Sequence, residues 1–355
     1  MKILFVIKNL RIDNGVASVI MNYYRELKNK KHKCDFLILK DVPSVYYDEI
    51  RSNCDNIFKL KSNSLNYFST RRFLKKMFSS NNYDVVHNNE ICRAAFIMKL
   101  MKKFNVKVRI MHTHSAVIEN NIIKKILKDI LKKLTILHSN KFLACSEYAG
   151  KRTFKNKKFY IIDNAILVDK FKFDRAWREE LRKKYNISSD KLVILEVARI
   201  TPEKNPYFVL KLCSSLKKKK LNFEIWWLGT GFMEDEIKNK CKELKLTDNL
   251  KFLGSTKDIN KFYSAADIFI LPSIFEGFPV TGLEAQAASL NCFFSSNITK
   301  EICLTSKSKQ LSIKKLNLWV SEILNVRDFS RKYETKIDRY SISNKVDEMI
   351  KYYNN

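Results

Sequence analysis

Short apolar runs alternate with helix-spaced segments through the first 162 residues. KILFVI (2–7), CDFLIL (34–39), YDVVH (83–87), VKVRIMH (106–112), KFLACS (141–146) and KFYII (158–162) have the length and β-branched content of buried strands, with amphipathic stretches between most of them. The pattern loosens over 163–190 into a connector and a short helix, and then resumes. KLVILEVA (191–198), NFEIWWLG (222–229), LKFLG (250–254), DIFIL (267–271) and CFF (292–294) read as strands, with helices near 204–219, 231–246, 257–265 and 279–289. Two weaker helical segments follow near 314–325 and 344–354. Strand and helix in alternation imply an α/β chain with doubly wound parallel sheets. The break in the pattern places a domain boundary near 163–190.

At 355 residues the chain is long enough for two cores, and 45% apolar residues is ordinary globular composition. No run of eighteen uncharged apolar residues occurs, and MKILFVIK is too short for a secretory leader and fits a first buried strand. The eight cysteines never form a C-x-x-C pair and none has a histidine at zinc-like spacing, which predicts reduced thiols in a cytoplasmic protein. A net charge of +30 asks for an anionic lipid, a nucleic acid or a phosphorylated substrate, or else reflects a lysine- and asparagine-rich composition with few glycines (7) and prolines (5).

The stretch 263–294, YSAADIFILPSIFEGFPVTGLEAQAASLNCFF, carries the most chemistry. An apolar run stops at Pro272, a turn holds Glu276, and a helical segment from Pro279 holds Glu284. Strand, loop and helix in this order form the ligand edge of an open α/β sheet, where a helix N-terminus presents N–H groups to an anion. The two glutamates either grip one ligand at two points or are simply solvated. In ARITPEKNPYF, Arg199 ends a strand and Lys204 precedes a helix, with Pro202 and Asn205 framing the turn. A guanidinium fork and a mobile ammonium together suit a diphosphate. Gly229 and Gly231 mark the next strand-to-helix turn.

In the first half no G-x-G-x-x-G follows the opening strand, which argues against a nicotinamide enzyme. Gly15 instead precedes a helix, as a phosphate-approach glycine or a plain turn. His112 and His114 leave the end of VKVRIMHTHS on one face, as substrate contacts, an ordinary polar strand end or, lacking a third ligand, a poor metal site. NNIIKKILKDILKKLTILH carries Ile122, Ile123, Ile126, Leu127, Ile130, Leu131, Leu134 and Leu137 on one stripe and Lys124, Lys125, Lys128, Lys132 and Lys133 on the other. It is a basic amphipathic helix, read either as a cover for the sheet with its lysines in solvent or as a contact with an anionic membrane surface.

Taken together, GVASVIMNYYREL, ARITPEKNP, WWLGTGFMEDEI, LKFLGSTKDINKFYSAADIFILPS and EGFPVTGLEAQAAS resemble the retaining glycosyltransferases of family 4 over nearly the whole chain. The TKEI segment and RIMHTHS resemble the branch that builds capsular and exopolysaccharides. The resemblance implies a GT-B architecture, two Rossmann-like domains facing an interdomain cleft. It assigns 1–165, completed by the C-terminal helix at about 338–355, to an acceptor-side domain and 166–337 to the nucleotide-sugar-binding domain. By the same resemblance Glu284 would bind the ribose, Glu276 the donor sugar, and Arg199 and Lys204 the departing diphosphate. Val280 and Thr281 N–H groups and the Gly15 loop would cradle the phosphates, and His114 would face the transferred sugar. The donor implied is a nucleotide-sugar, UDP-linked, with no other cofactor and no metal; the acceptor is a saccharide or lipid-linked, at the inner face of the plasma membrane. Asn14-Gly15 stands for the usual double glycine, Ala17 for an acid, Asn164-Ala165-Ile166-Leu167 for Asn-Gly-Ile-Asp, and Pro279 and Ser289 for glycines.

Two other classes remain beside this reading: a basic nucleic-acid-binding protein, for which no helix-turn-helix, zinc finger or RNP-type stretch is present, and a sugar-nucleotide epimerase or phosphorylase on the same fold.

Overall fold

A computed structural model describes residues 1–12, 14–60, 67–92, 94–114 and 122–354, apart from the side chains of Tyr67 and Lys124. The chain forms two compact units, Met1–Ala165 with Ile342–Asn355, and Ile166–Ser341. In the first, β1 (Lys2–Ile7), β2 (Lys33–Ile38), β3 (Ile57–Lys59), β4 (Val85–Asn88), β5 (Val108–Thr113), β6 (Lys141–Ala144) and β7 (Tyr160–Ile161) form one sheet. Its order is β3-β2-β1-β4-β5-β6-β7, every pairing parallel. The apolar run of β1 exists because it is covered on both faces: Ile3, Leu4, Phe5 and Val6 are fully buried. Strand order reverses between β1 and β4, where Phe5 sits between Phe36 of β2 and His87 of β4.

The second unit repeats this plan with β8 (Leu192–Val197), β9 (Phe223–Leu228), β10 (Leu250–Gly254), β11 (Ile268–Leu271), β12 (Asn291–Ser295) and β13 (Ser308–Leu311), in the order β10-β9-β8-β11-β12-β13. Here the reversal lies between β8 and β11, registered by Ile194 opposite Ile268. β3 and β13 are absent from the apolar pattern of the sequence. Both lie at sheet edges, pair on one side only and are mostly half exposed, so IFK and SKQL need no buried run.

The last helix, Ile342–Asn354, belongs to the first unit and starts after a 3₁₀ segment at Thr335–Tyr340. Ile342, Val346, Met349 and Tyr353 form its buried stripe, spaced three and four apart. It lies against the helix Gly15–Asn29. It is pinned by Lys30 to Asp347 at 2.7 Å, by Lys345 to Asp163 at 3.0 Å, and by the Lys141 ammonium donating to the Tyr352 carbonyl at 2.6 Å.

The basic helix, Ile122–His138, does not cover the sheet with its isoleucine stripe. Ile122, Ile123, Ile126 and Leu137 are between 57% and 79% exposed, and Leu127, Ile130 and Leu134 are exposed as well. The inward position is Thr135, whose hydroxyl lies 2.6 Å from the Ile91 carbonyl. Around it Leu131, Lys132 and Ile136 are half-buried, so the packed side takes residues from both stripes while Ile122, Ile123, Ile126 and Ile130 point out. Lys125, Lys128 and Lys133 still reach solvent, while Lys132 pairs with Asp129 at 2.6 Å. Residues 115–121, which precede this helix, and the Lys124 side chain lie outside the described residues.

Two glycines fix the loops at the ligand edge of the second sheet. Gly229 has φ +138°, and a Cβ there would lie 2.1 Å from the Ala198 carbonyl oxygen; at Gly231 the same distance separates it from that of Ile200. The loops after β8 and β9 touch backbone to backbone, with Ile200 N–H donating to Thr230 at 3.1 Å and Met233 N–H to Ile200 at 3.2 Å. Gly15, by contrast, has nothing within 4 Å of its Cβ position. Gly231→Ala is therefore expected to cost about 1–3 kcal/mol in urea unfolding, because the obstacle is main chain. Gly15→Ala should stay within about 0.5 kcal/mol of the parent, and equal responses would contradict this account.

Candidate functional site

The loops after β8 and β11 leave neighbouring strands on the same edge of the second sheet, so residues 72 apart in sequence meet. β8 gives way to Thr201 and a 3₁₀ turn, Pro202–Lys204, and Pro206 opens the next helix. Asn205 joins the two at φ +58°, a conformation asparagine tolerates better than most residues, and its side chain donates to the Pro272 carbonyl at 3.2 Å. Ile274 N–H donates to the Glu203 carbonyl at 2.8 Å. These two bonds lash the turn to the loop after β11.

On that scaffold the Lys204 ammonium and the Glu276 carboxylate form an ion pair, each side chain about 15% exposed. Ser273 Oγ donates to the same carboxylate oxygen at 2.7 Å. Arg199 is not drawn into this group. Half exposed, it pairs with Glu203 at 3.0 Å within its own turn. Glu276 leads into the helix Val280–Ala287, whose first residues, Val280 and Thr281, follow Pro279. Glu284 lies farther along that helix in a separate contact: Tyr263 donates to its Oε2 at 2.8 Å. Burial pushes its carboxyl up to about 7, against the Tyr263 hydrogen bond and the charge of Lys170, which lower it.

A third carboxyl escaped the motif reading. Glu196, on β8, is fully buried, and neither of its oxygens has a hydrogen-bond partner among the described residues. Burial holds it well above the usual carboxylate range; its charged neighbours are Lys204, which opposes the shift, and Glu276, which adds to it. The sequence signal was a lone acid inside the apolar run KLVILEVA. Thr201 Oγ1, nearby in sequence, is likewise buried without a partner among the described residues.

The remaining candidates belong to the first unit. Gly15 opens its helix beneath a cap in which Asn14 accepts from Val16 N–H at 3.2 Å. His114 follows β5, its Nε2 2.8 Å from the Asn89 side-chain oxygen. Burial brings its pKa down to about 4, with Asn164 acting in the other direction. Among the described residues no group of three or more His, Cys, Asp or Glu is arranged to hold a metal ion.

The raised Glu284 carboxyl carries a stability signature. The folded chain holds this proton up to about pH 7, whereas an unfolded glutamate releases it near 4.5. Between those values the folded state binds more protons, so its stability falls as pH rises and levels off above pH 7. Unfolding free energies measured from pH 4 to 8 should show this decline in the parent and a flatter profile in Glu284→Gln; parallel profiles would exclude it.

With this geometry described, the comparisons fall on both units. Residues 13–170 match the family model for Glycosyltransferase Family 4, and residues 177–302 that for Glycosyl transferases group 1. The chain is 28% identical over 299 residues to the putative glycosyltransferase EpsF of Bacillus subtilis, covering 81% of this chain and 77% of that protein. It is 23% identical over 369 residues to the UDP-Gal:alpha-D-GlcNAc-diphosphoundecaprenol alpha-1,3-galactosyltransferase of Escherichia coli, covering 96% and 93%. The crystal structure of Anabaena HepE in complex with UDP and glucose matches over 100% of both chains with a TM-score of 0.83 at 12% identity, a likeness of fold. None of these supports the nucleic-acid, epimerase or phosphorylase readings. The chain belongs to the family 4 glycosyltransferases, with a GT-B fold, and is a transferase of polysaccharide or glycan biosynthesis.

Proposed function

We propose that this enzyme moves a sugar, with retention of its anomeric configuration, from a UDP-linked donor to a saccharide or lipid-linked acceptor. The observation that carries the reading is the Lys204–Glu276 pair at the reversal of the second sheet, beside the start of the helix Val280–Ala287. That edge joins a cation and helix N–H groups, suited to a diphosphate, with a carboxylate suited to sugar hydroxyls. The names of the relatives agree with it: one is a UDP-galactose enzyme acting on a diphosphoundecaprenol-linked sugar, and one neighbour holds UDP and glucose.

In this scheme the second unit holds the donor and the first the acceptor. The diphosphate takes Lys204 from Glu276, which turns to the sugar hydroxyls; Arg199 swings from Glu203 to the outer phosphate, and Val280 and Thr281 N–H groups meet the same oxygens. Glu284 accepts from the ribose. In the first unit this reading assigns the Gly15 loop and the neutral His114 to substrate binding. As the bond from anomeric carbon to diphosphate breaks, negative charge grows on the leaving oxygen, where a fixed cation lowers the barrier most. The acceptor hydroxyl attacks from the same face, its proton passing to that oxygen. No metal or further cofactor enters the scheme.

The basic helix gives the acceptor a place. Among the described residues no helix is long and apolar enough to cross a membrane. Ile122–His138 instead presents an isoleucine-leucine face to solvent beside exposed Lys125 and Lys133, the build of a helix lying in a membrane interface. The enzyme is placed by this reading at the cytoplasmic face of an anionic membrane, each lysine near the lipid adding about 1 kcal/mol.

A thermal-shift panel of UDP-, GDP- and ADP-sugars tests the donor: a UDP-sugar should raise the melting temperature most, and no response to any nucleotide would remove the reading. Lys204→Ala should lower kcat/KM by about 10²–10³-fold, and unchanged kinetics would take Lys204 out of the site. For the membrane, Ile126→Ser with Ile130→Ser should reduce flotation with phosphatidylglycerol vesicles while leaving the thermal shift intact; undiminished flotation would refute insertion through this face.

A further inference from the structure

The first unit contains a hydrogen-bonded run that sugar transfer as described above does not use. The Tyr353 hydroxyl, in the last turn of the C-terminal helix, lies 2.6 Å from His87 Nδ1, and His87 Nε2 lies 3.0 Å from His112 Nδ1. The His112 ring then lies against that of His114, centroids 4.0 Å apart and planes tilted by 39°. His87, His112 and Tyr353 are all at least 98% buried. Burial holds His87 at about 3 and His112 well below the ordinary histidine value, so both rings are neutral at physiological pH.

A neutral imidazole carries one N–H, so protons can thread this run in only two directions, and the choice at one end sets the other. If Tyr353 donates to His87 Nδ1, then His87 Nε2–H donates to His112 Nδ1, and His112 keeps its proton on Nε2. In the reverse direction His87 donates to Tyr353, and the buried phenol proton has no acceptor among the described residues. That direction also leaves the His112 Nε2 lone pair unmet, two buried orphans against one in the first, so the first direction wins. It leaves His112 Nε2–H as a donor, buried at the carboxyl end of β5, with no acceptor among the described residues. That end of a parallel sheet is where ligands sit.

We propose that His112 is a binding residue that donates its Nε2–H to a sugar hydroxyl oxygen, and that Tyr353 and His87 are positioning residues that hold it in that tautomer. Naming the ligand as a sugar rests on the proposed transferase reading; the tautomer does not. The C-terminal helix thereby sets the hydrogen-bonding character of a side chain more than two hundred residues away.

Long-range ¹H–¹⁵N spectra of the full chain labelled at histidine test both halves, with His112 assigned by its loss in His112→Gln. The parent should show the Nε2–H form of His112, and Tyr353→Phe should shift it toward Nδ1–H; an Nδ1–H form in the parent overturns the tautomer. UDP-glucose, UDP-galactose, UDP-N-acetylglucosamine and their methyl glycosides are then added, with UDP alone as the control. At least one sugar should move the His112 Nε2–H resonance where UDP does not. If a UDP-sugar stabilises the protein but none moves this resonance, the sugar contact is wrong while the transferase reading stands. If none stabilises it, the transferase reading fails, and unmoved resonances with the methyl glycosides overturn the contact as well. In turnover, His112→Leu should raise KM on the order of tenfold, with partial recovery in His112→Gln, which keeps a donor; equal losses in the two variants overturn the donor role.

Discussion

The ion pair between Lys204 and Glu276 exists because the second sheet reverses its strand order between β8 and β11. There two loops leave adjacent strands toward opposite faces, and a lysine and a glutamate 72 residues apart close on each other. The bonds from the Asn205 side chain to the Pro272 carbonyl and from Ile274 N–H to the Glu203 carbonyl hold the two loops in register. A mostly buried pair of this kind is poor evidence of stability, since desolvation cancels much of its attraction. Its value lies in geometry: a cation and a carboxylate are kept side by side at an edge with little water to screen them.

Three carboxyls in this unit have three different surroundings. Glu276 has an ammonium and a serine hydroxyl against it. Glu284 has one phenol and little solvent, which leaves it near neutrality. Glu196 has no hydrogen-bonding partner among the described residues, and burial favours its neutral form. Lys204 thus has the Glu276 carboxylate paired to it and, as a further neighbour, a buried carboxyl whose neutral form burial favours.

In the first unit the organising contact is the return of the C-terminal helix. Its buried stripe lies against the helix Gly15–Asn29, and its last turn delivers Tyr353 to His87. The same helix thus closes the core of the unit and sets the protonation pattern of a histidine at the ligand edge. The basic helix shows the opposite economy: it buries Thr135 and leaves an apolar face uncovered, an arrangement that makes sense for a surface that meets something other than water.

The elements themselves were written in local pattern. The runs 2–7 and 250–254 coincide with strands residue for residue, and the others lie within a few positions, because a buried parallel strand must be apolar on both faces. The turn chemistry of Pro202, Asn205 and Pro206 and the close approach at Gly229 and Gly231 were equally local. Edge strands β3 and β13 were not, since a half-exposed strand carries no such constraint. Nor did periodicity say which stripe of Ile122–His138 faces inward: a helical wheel gives two faces but not the neighbour that one of them meets. Arg199 turning to Glu203, Lys204 to Glu276, and Tyr353 to His87 are choices among partners far apart in sequence. Only strand order and packing bring one partner within hydrogen-bonding distance and bury it there, and the chemistry of both ligand edges follows from those choices.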